Sequence, residues 1–315
     1  MCTFVIEDTL DSEIERFLQE DISNGDITSD LFIDSNSISN AQILSRESGI
    51  LSGRKELTQI FDHFNIKSNW LFQDGEYFNA NSQIVTLNGL SKSLLLSERV
   101  SLNLLGHMSG IATTTNHAVK ITKQISPHTN ISATRKTLPG LRKYEKYSVI
   151  VGGGLPHRYN LNEMILIKDN HYKLITNLKA SINATRDKIG YNKKIELEVD
   201  SLKSALNAVE LDIDIILLDN MPPEDISKFI SKIKSLSKPP LTEASGGINF
   251  SNLELYASTQ VDIISMGTLT HSSKSIDFSL QIILFLVPIS STRFFIITTN
   301  NDPSIPTARK VPINK

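Results

Sequence analysis

Six short apolar, β-branched runs recur through the second half of the chain, separated by stretches of helical period. The runs are Asn130 to Ala133, Met164 to Ile167, Ile195 to Val199, Ile213 to Leu218, Pro240 to Ala244 and Val261 to Ser265. Helical patterns fall at Tyr172 to Lys188, Leu202 to Val209, Glu224 to Leu236 and Ser251 to Thr259. Continuous apolar strands alternating with helices imply a parallel sheet covered by helices. Six such strands favour a closed or nearly closed barrel over a doubly wound sheet, and the fold class is α/β. In such a barrel every strand C-terminus opens onto one face, where residues distant in sequence meet.

The first half has another rhythm. Leu10, Ile14, Phe17 and Leu18 recur at helical spacing within 1–22, and a turn-rich connector runs from Glu20 to Thr28. Ala41 to Leu44, Gly49 to Leu51 and Ile84 to Leu87 read as strands, with turns at Asp74-Gly75 and Asn88-Gly89 and a helix from Glu56 to Asn65. Leu96, Val100, Leu104 and Met108 lie four apart and mark a long helix, in which Gly106 and Gly110 allow a bend or close packing. At 315 residues the chain exceeds a single core of ~250–300 residues. The expected division is an N-terminal α/β unit over 1–108, a barrel over 109–275, and a C-terminal segment over 276–315. That last segment is read as a helix and an irregular tail, part of it able to return to the first domain.

Composition excludes several roles. Lys plus Arg is 32 and Asp plus Glu is 34, a net charge of −2. No global basic field is present, so no nucleic-acid partner is expected. The single Cys2 allows no intrachain disulfide. Asp8, Asp11 and Glu13 are unlike a signal peptide, and the apolar run Ile282 to Val287 is far below the ~18 residues of a membrane span. A soluble, reducing, cytoplasmic setting without a membrane partner is the expectation.

All six strands end in polar or glycine residues: Arg135-Lys136, Lys168-Asp169-Asn170, Glu198, Asp219-Asn220, Ser245-Gly246-Gly247 and Gly267. Gly152-Gly153-Gly154 followed by His157-Arg158 adds further cations. Guanidinium forks suit carboxylates. Glu198 and Asp219 suit sugar hydroxyls or a Mg²⁺ that keeps most of its waters. Backbone N–H groups in Ser245-Gly246-Gly247 and near Gly267 suit a phosphate monoester. The implied ligands are a carboxylated molecule, a sugar phosphate and a metal-bound polyphosphate.

Each residue also has a bland reading. Arg135 and Lys136 could be a solvated strand end, the glycine run a helix terminus, and Glu198 a surface acid. His107 and His117 read as packing or surface histidines, and His171 as a helix cap. Lys168 resists dismissal, because a lysine closing an apolar strand needs an anion or a covalent role.

At these residues the sequence resembles the quinolinate phosphoribosyltransferase family. The matching segments are Thr134 to Arg142, Gly152-Gly153-Gly154 through His157-Arg158, and Leu166-Ile167-Lys168-Asp169-Asn170-His171. They continue in Glu196 to Val199, Leu218 to Met221, Glu243 to Ile248 and Leu269 to Ser272. Upstream, Glu20-Asp21, Gly25 to Thr28, Ser97-Glu98-Arg99, Asn103 and Ser109 to Thr113 fit as well, so the resemblance covers roughly 5–285. Ala133 stands where many members carry an acid, and the tail beyond about 287 has no counterpart.

The resemblance implies an N-terminal α/β sandwich followed by an open α/β barrel of the type II phosphoribosyltransferase kind. It implies a reaction of quinolinate with phosphoribosyl pyrophosphate in NAD biosynthesis, with Mg²⁺ as cofactor. Quinolinate would fall to Arg99, Arg135, Lys136, His157, Arg158 and Lys168, with Lys168, Glu198 and Asp219 as catalytic residues. Phosphoribosyl pyrophosphate would fall to Lys136, Glu198, Asp219, Ser245, Gly246, Gly247, Gly267 and His271. Mg²⁺ would be held by Glu198 and Asp219, directly or through water. Arg99 would enter a neighbouring subunit's site, which requires at least a homodimer. Three other readings stand beside this one: the paralogue associated with molybdenum transport, a Schiff-base barrel lyase using Lys168, and a phosphate-binding module on an inactive barrel. The lyase requires a lysine free of carboxylate partners.

Overall fold

The computed structural model describes residues 12–190 and 192–283. Helices α1 (Ser12–Ile22) and α2 (Ile27–Phe32) precede strands β1 (Ile38–Ser45) and β2 (Gly49–Ile50). Helix α3 (Arg54–His63) leads to β3 (Lys67–Trp70), β4 (Tyr77–Phe78) and β5 (Gln83–Leu90). Strand β5 pairs antiparallel with β1 on one side and β3 on the other, while β2 and β4 make a separate ribbon. Alternate residues of β1 and β5, Ala41, Ile43 and Leu87 among them, close a core with Ile14 and Leu18 of α1 and Leu57, Ile60 and Phe61 of α3. Asn88-Gly89, expected as a turn, lies inside β5. Asn88 Nδ2 donates to Asn40 Oδ1 across the sheet at 3.0 Å. A Cβ on Gly89 would stand 3.1 Å from Ile66 Cγ1, so this glycine serves close approach within a strand.

Helix α4 (Ser91–Ile125) has 35 residues. At ~1.5 Å per residue it is roughly 52 Å long. Val100, Leu104 and Met108 of the expected stripe are buried in the first core, and Ile111 and Ala118 belong to a second. The expected 108/109 boundary therefore falls in mid-helix, and α4 is a spine shared by both cores. Among the described residues no helix is long and apolar enough to cross a membrane.

The second core surrounds the strands β6 (Asn130–Ser132), β7 (Ile165–Ile167), β8 (Ile195–Val199), β9 (Ile215–Asp219), β10 (Leu241–Ser245) and β11 (Ile263–Ser265). Helix α5 (Arg142–Val151) stands between β6 and β7, and α6 (Asp169–Tyr172) and α7 (Leu178–Ile189) between β7 and β8. The single helix expected from Tyr172 to Lys188 is thus a short turn and a separate helix. Helices α8 (Leu202–Ala208), α9 (Pro223–Ile233) and α10 (Leu253–Ser258) cover the later strands, and α11 (Thr268–His271) follows β11. The strands are parallel in the order β6-β11-β10-β9-β8-β7. That is chain order around a ring, open at one seam between β6 and β7. Ile131, Leu197, Val199, Ile216, Leu218, Ala244 and Ile264 face the helices and form the apolar core with Ile226, Phe229 and Leu253. The alternate positions, Glu196, Glu198, Asp219, Glu243 and Ser265, face the barrel interior.

A helix was expected from 276 onward. Phe278–Ile283 is instead strand β12, paired antiparallel with β1 from Ser45↔Phe278 to Asn40↔Ile283. Phe278 and Leu280 face the first core, and the strand covers what would be an open edge of β1. The expected tail beyond 283 lies outside the described residues. To reach β1 the chain crosses α4. A Cβ on Gly110 would overlap Lys274 O, one on Gly106 would stand 2.7 Å from Ile276 O, and Ile276 N–H donates to Gly106 O at 3.0 Å. The two glycines provide close packing, not a bend. Gly110→Ala should destabilise the protein by about 1–3 kcal/mol through this overlap. A urea unfolding midpoint equal to that of the parent would show that segment 274–276 does not rest on α4.

Candidate active site

The parallel strands deliver their polar ends to one face. Lys168 follows β7 and its Nζ donates to Glu198 Oε2 on the adjacent β8. Tyr172 OH on α6 donates to Glu198 O at 2.7 Å, and Lys168 N–H donates to His171 Nδ1 at 2.8 Å. His171 is thus a cap. Asp219 closes β9 and accepts from Asn220 Nδ2 at 2.7 Å. Asn220 takes φ +53° and its N–H donates to Ser245 O at 2.8 Å. A Cβ on Gly246, itself at φ +96°, would stand 2.6 Å from Asn220 N. The chain needs this glycine before any ligand arrives. At the far end of the sheet a Cβ on Gly267 would stand 3.0 Å from Lys136 Cδ and 3.1 Å from His271 Nε2. Thr270 Oγ1 also donates to Lys136 O at 2.7 Å, so Lys136, Gly267 and His271 form one corner. A cleft of ≈ 790 Å³ opens beside β8 and β9, lined in part by Asp169, Tyr172, Glu198, Asp200 and Asp219.

Deeper in the barrel, His157 sits at φ +53° with Nε2 3.5 Å from Glu196 Oε2 and 3.6 Å from Glu243 Oε1. Ser265 Oγ donates to Glu243 Oε1 at 2.6 Å. Both acids are fully buried. Burial raises each carboxyl above the ordinary carboxylate range, and their mutual proximity raises Glu243 further. Burial lowers His157, which favours the neutral imidazole. Arg158 is buried and Nη1 donates to Met164 O at 3.0 Å. Arg158 Nε, Arg135 Nε and His157 Nδ1 are buried and, among the described residues, have no hydrogen-bond partner. Such groups are costly unless a ligand supplies the missing acceptors.

Two residues that the sequence did not reveal support this pocket from α5. Glu145 is fully buried, its Oε1 2.9 Å from His107 Nε2 and its Oε2 accepting from Leu138 N–H at 3.2 Å. It fixes the loop after Arg135-Lys136 and gives His107 its structural role. Lys146 is fully buried, and its Nζ donates to Pro156 O and, at 2.8 Å, to Arg158 O. Burial, aided by the nearby Arg142, lowers Lys146 to about 8. A Glu-Lys pair in a short helix reads as a solvated face, and nothing in the sequence marks it otherwise. Gly152 and Gly154 are helix-terminal packing positions, since a Cβ on either would press on Thr115 of α4. Arg99 does not join the site of its own chain. It is exposed, pairs with its neighbour Glu98 at 3.6 Å, and lies where α4 packs on the first core.

Two family models match the chain. The C-terminal domain of quinolinate phosphoribosyl transferase matches residues 111–281 and its N-terminal domain residues 26–109. This chain belongs to the quinolinate phosphoribosyltransferase family. It is 40% identical to a probable nicotinate-nucleotide pyrophosphorylase [carboxylating] of Methanocaldococcus jannaschii, covering 86% of this chain and 96% of that one. It is 34% identical to the human nicotinate-nucleotide pyrophosphorylase [carboxylating], covering 78% and 82%. Among solved structures, that of the nicotinate-nucleotide pyrophosphorylase from Francisella tularensis superimposes with a TM-score of 0.80 at 36% identity, covering 86% and 94%. The Ehrlichia chaffeensis enzyme gives a TM-score of 0.81 at 34% identity, covering 88% and 100%. The transferase reading of this family member and its sandwich-and-barrel fold both stand. The lyase reading fails on geometry, since Lys168 has a carboxylate partner in Glu198.

The neutral acids predict a pH dependence. Burial and the neighbouring Glu196 push folded Glu243 up to about 8, against 4.5 for an ordinary glutamic acid. Between those two values unfolding releases a proton, so stability falls as pH rises. Glu243→Gln keeps the neutral shape without this titration. Thermal midpoints measured across the range should show the parent losing stability relative to Glu243→Gln as pH climbs above 4.5. Parallel profiles would mean that Glu243 is ionised when folded.

Proposed function

We propose that this chain joins quinolinate to phosphoribosyl pyrophosphate, giving nicotinate mononucleotide, pyrophosphate and CO₂ in NAD biosynthesis. The observation that carries the reading is the set of buried polar nitrogens without partners among the described residues, Arg135 Nε, His157 Nδ1 and Arg158 Nε, with Arg158 and Lys168 near enough to His157 to act on its charge. A dicarboxylate supplies the missing acceptors. Arg135, His157, Arg158 and Lys168 bind and orient it, with Lys136 at the junction of the two substrates. The Lys136, Gly267 and His271 corner, with the Ser245-Gly246-Gly247 loop, takes the phosphoribosyl 5-phosphate.

The pyridine nitrogen forms a bond to the ribose anomeric carbon as the bond to pyrophosphate breaks, its electron pair leaving with the phosphate oxygen. Positive charge develops on the sugar, where Glu198 and Asp219 stabilise it and accept hydroxyl hydrogen bonds. The adjacent ring carboxylate then leaves as CO₂, its electron pair stays on the carbon next to the cationic nitrogen, and that carbon takes up one proton. Glu198 Oε1 and Asp219 Oδ1 are hard oxygen donors left over from the contacts to Lys168 and Asn220 and would hold Mg²⁺, mostly through water. When bound, the ion would neutralise pyrophosphate charge. The exposed Arg99 would serve the neighbouring subunit of a homodimer. A cytoplasmic setting agrees with the single cysteine.

The direct test is purified protein with both substrates and Mg²⁺, followed for CO₂ and nicotinate mononucleotide. Formation of neither product would overturn the reading. Arg135→Lys replaces a planar fork with a point charge. It should raise the KM for quinolinate about tenfold, corresponding to loss of one charge-assisted hydrogen bond. An unchanged quinolinate KM would remove Arg135 from the site. Arg99→Ala and Lys168→Ala should each be nearly inactive, and mixing them should restore part of the activity once subunits exchange. No recovery despite demonstrated exchange would argue against a site shared between subunits.

A further inference from the structure

We propose that Lys146 is a positioning residue of this site: it staples the two carbonyls that flank His157 and so keeps the imidazole inside the barrel with Nδ1 free for the bound dicarboxylate. The inference rests on the reading of the pocket given above. His157 adopts φ +53°, a left-handed conformation uncommon for any residue with a Cβ, although histidine adopts it more often than most. Such backbone persists only where surrounding structure over-determines it. Pro156 O and Arg158 O lie on either side of that residue and both accept from Lys146 Nζ. An ammonium carries three donors and no acceptor, which fits two carbonyls converging on one point. The Tyr159 ring, with its centroid 5.3 Å from Nζ, faces the same ammonium.

Lys146 is fully buried and its ammonium meets backbone carbonyls, so it acts on the substrate only through His157 and Arg158. The bond to Pro156 O fixes the peptide plane that enters His157, and the bond to Arg158 O anchors the chain one peptide beyond the plane that leaves it, so His157 sits in a short span pinned at both ends. Within that pinned span the imidazole points toward Glu196 and Glu243. Without the ammonium two buried carbonyls lose their donor, and the segment can relax by turning His157 to an ordinary backbone conformation. The free Nδ1 would leave the pocket with it.

The test is a double-mutant cycle on the full-length protein, with quinolinate affinity read by calorimetry and phosphoribosyl pyrophosphate KM by turnover. Lys146→Met should weaken quinolinate binding at least tenfold while the phosphoribosyl pyrophosphate KM stays within twofold. Added to His157→Ala, it should cost less than twofold more, because both changes remove one interaction. Lys146→Arg, which keeps donors on the same side, should restore part of the affinity. A folded Lys146→Met protein that binds quinolinate like the parent, or a double variant whose losses multiply, would overturn the proposal. Should Lys146→Met not fold, the shorter Lys146→Gln is read in the same cycle with the same criteria. If His157→Ala alone leaves quinolinate binding unchanged, the pocket assignment itself fails, a result distinct from failure of the staple.

Discussion

Two carboxyl groups buried inside a ring of strands set the terms for this molecule. Glu196 and Glu243 lie at the bottom of the site with His157 between them, all three ligand atoms within 4.8 Å of one another. Burying two carboxylates side by side is prohibitive unless charge is removed or matched. The protein does both: burial raises the two carboxyls toward the neutral form, and the charges of Arg158 and Lys168 act on Glu196. Among the described residues Arg135 Nε and Arg158 Nε remain without acceptors in this interior, and an anionic substrate would supply them. Binding and electrostatic relief then become the same event.

The remaining architecture carries that interior. Outward-facing strand residues are mostly apolar and hold the helices, which frees the inward positions for polar side chains. Helix α4 contributes to both cores, so the antiparallel unit and the barrel share one rigid element. The crossing of 274–276 over Gly106 and Gly110 brings β12 back to the first sheet and clasps the two units together.

Much of this was readable in the sequence, for definable reasons. The barrel strands announced themselves because both their faces are covered, and the strand ends because polarity follows immediately after an apolar run. Lys168, Glu198, Asp219 and the Ser245-Gly246-Gly247 loop were found on that signal alone. Strand β3 was missed because Lys67-Ser68-Asn69 carries no apolar alternation, and α2 because it exposes Ile27, Leu31 and Phe32 and shows no buried stripe. Asn88-Gly89 has the composition of a turn, yet its neighbours across the sheet decide its conformation. The C-terminal strand was read as a helix because a short apolar run fits either period. Lys146 and Glu145 were invisible because only tertiary packing reveals that a charged pair on a helix is buried. Arg99 was placed by resemblance, and within its own chain it has no site to serve.

The seam between β6 and β7 has its own consequence. Among the described residues a single bridge, Ser132 to Leu155, touches β6 on that side. Arg135, His157 and Arg158 are therefore carried by a connector threaded through a gap, not by paired strands. Ladder registry constrains residues such as Glu198 and Asp219, because moving one strand shifts its neighbours. The connector escapes that arithmetic. Its length and course can change without re-indexing the ring. Glu198 and Asp219 are tied to the barrel ladder, whereas Arg135, His157 and Arg158 are held by the packing of the connector that carries them.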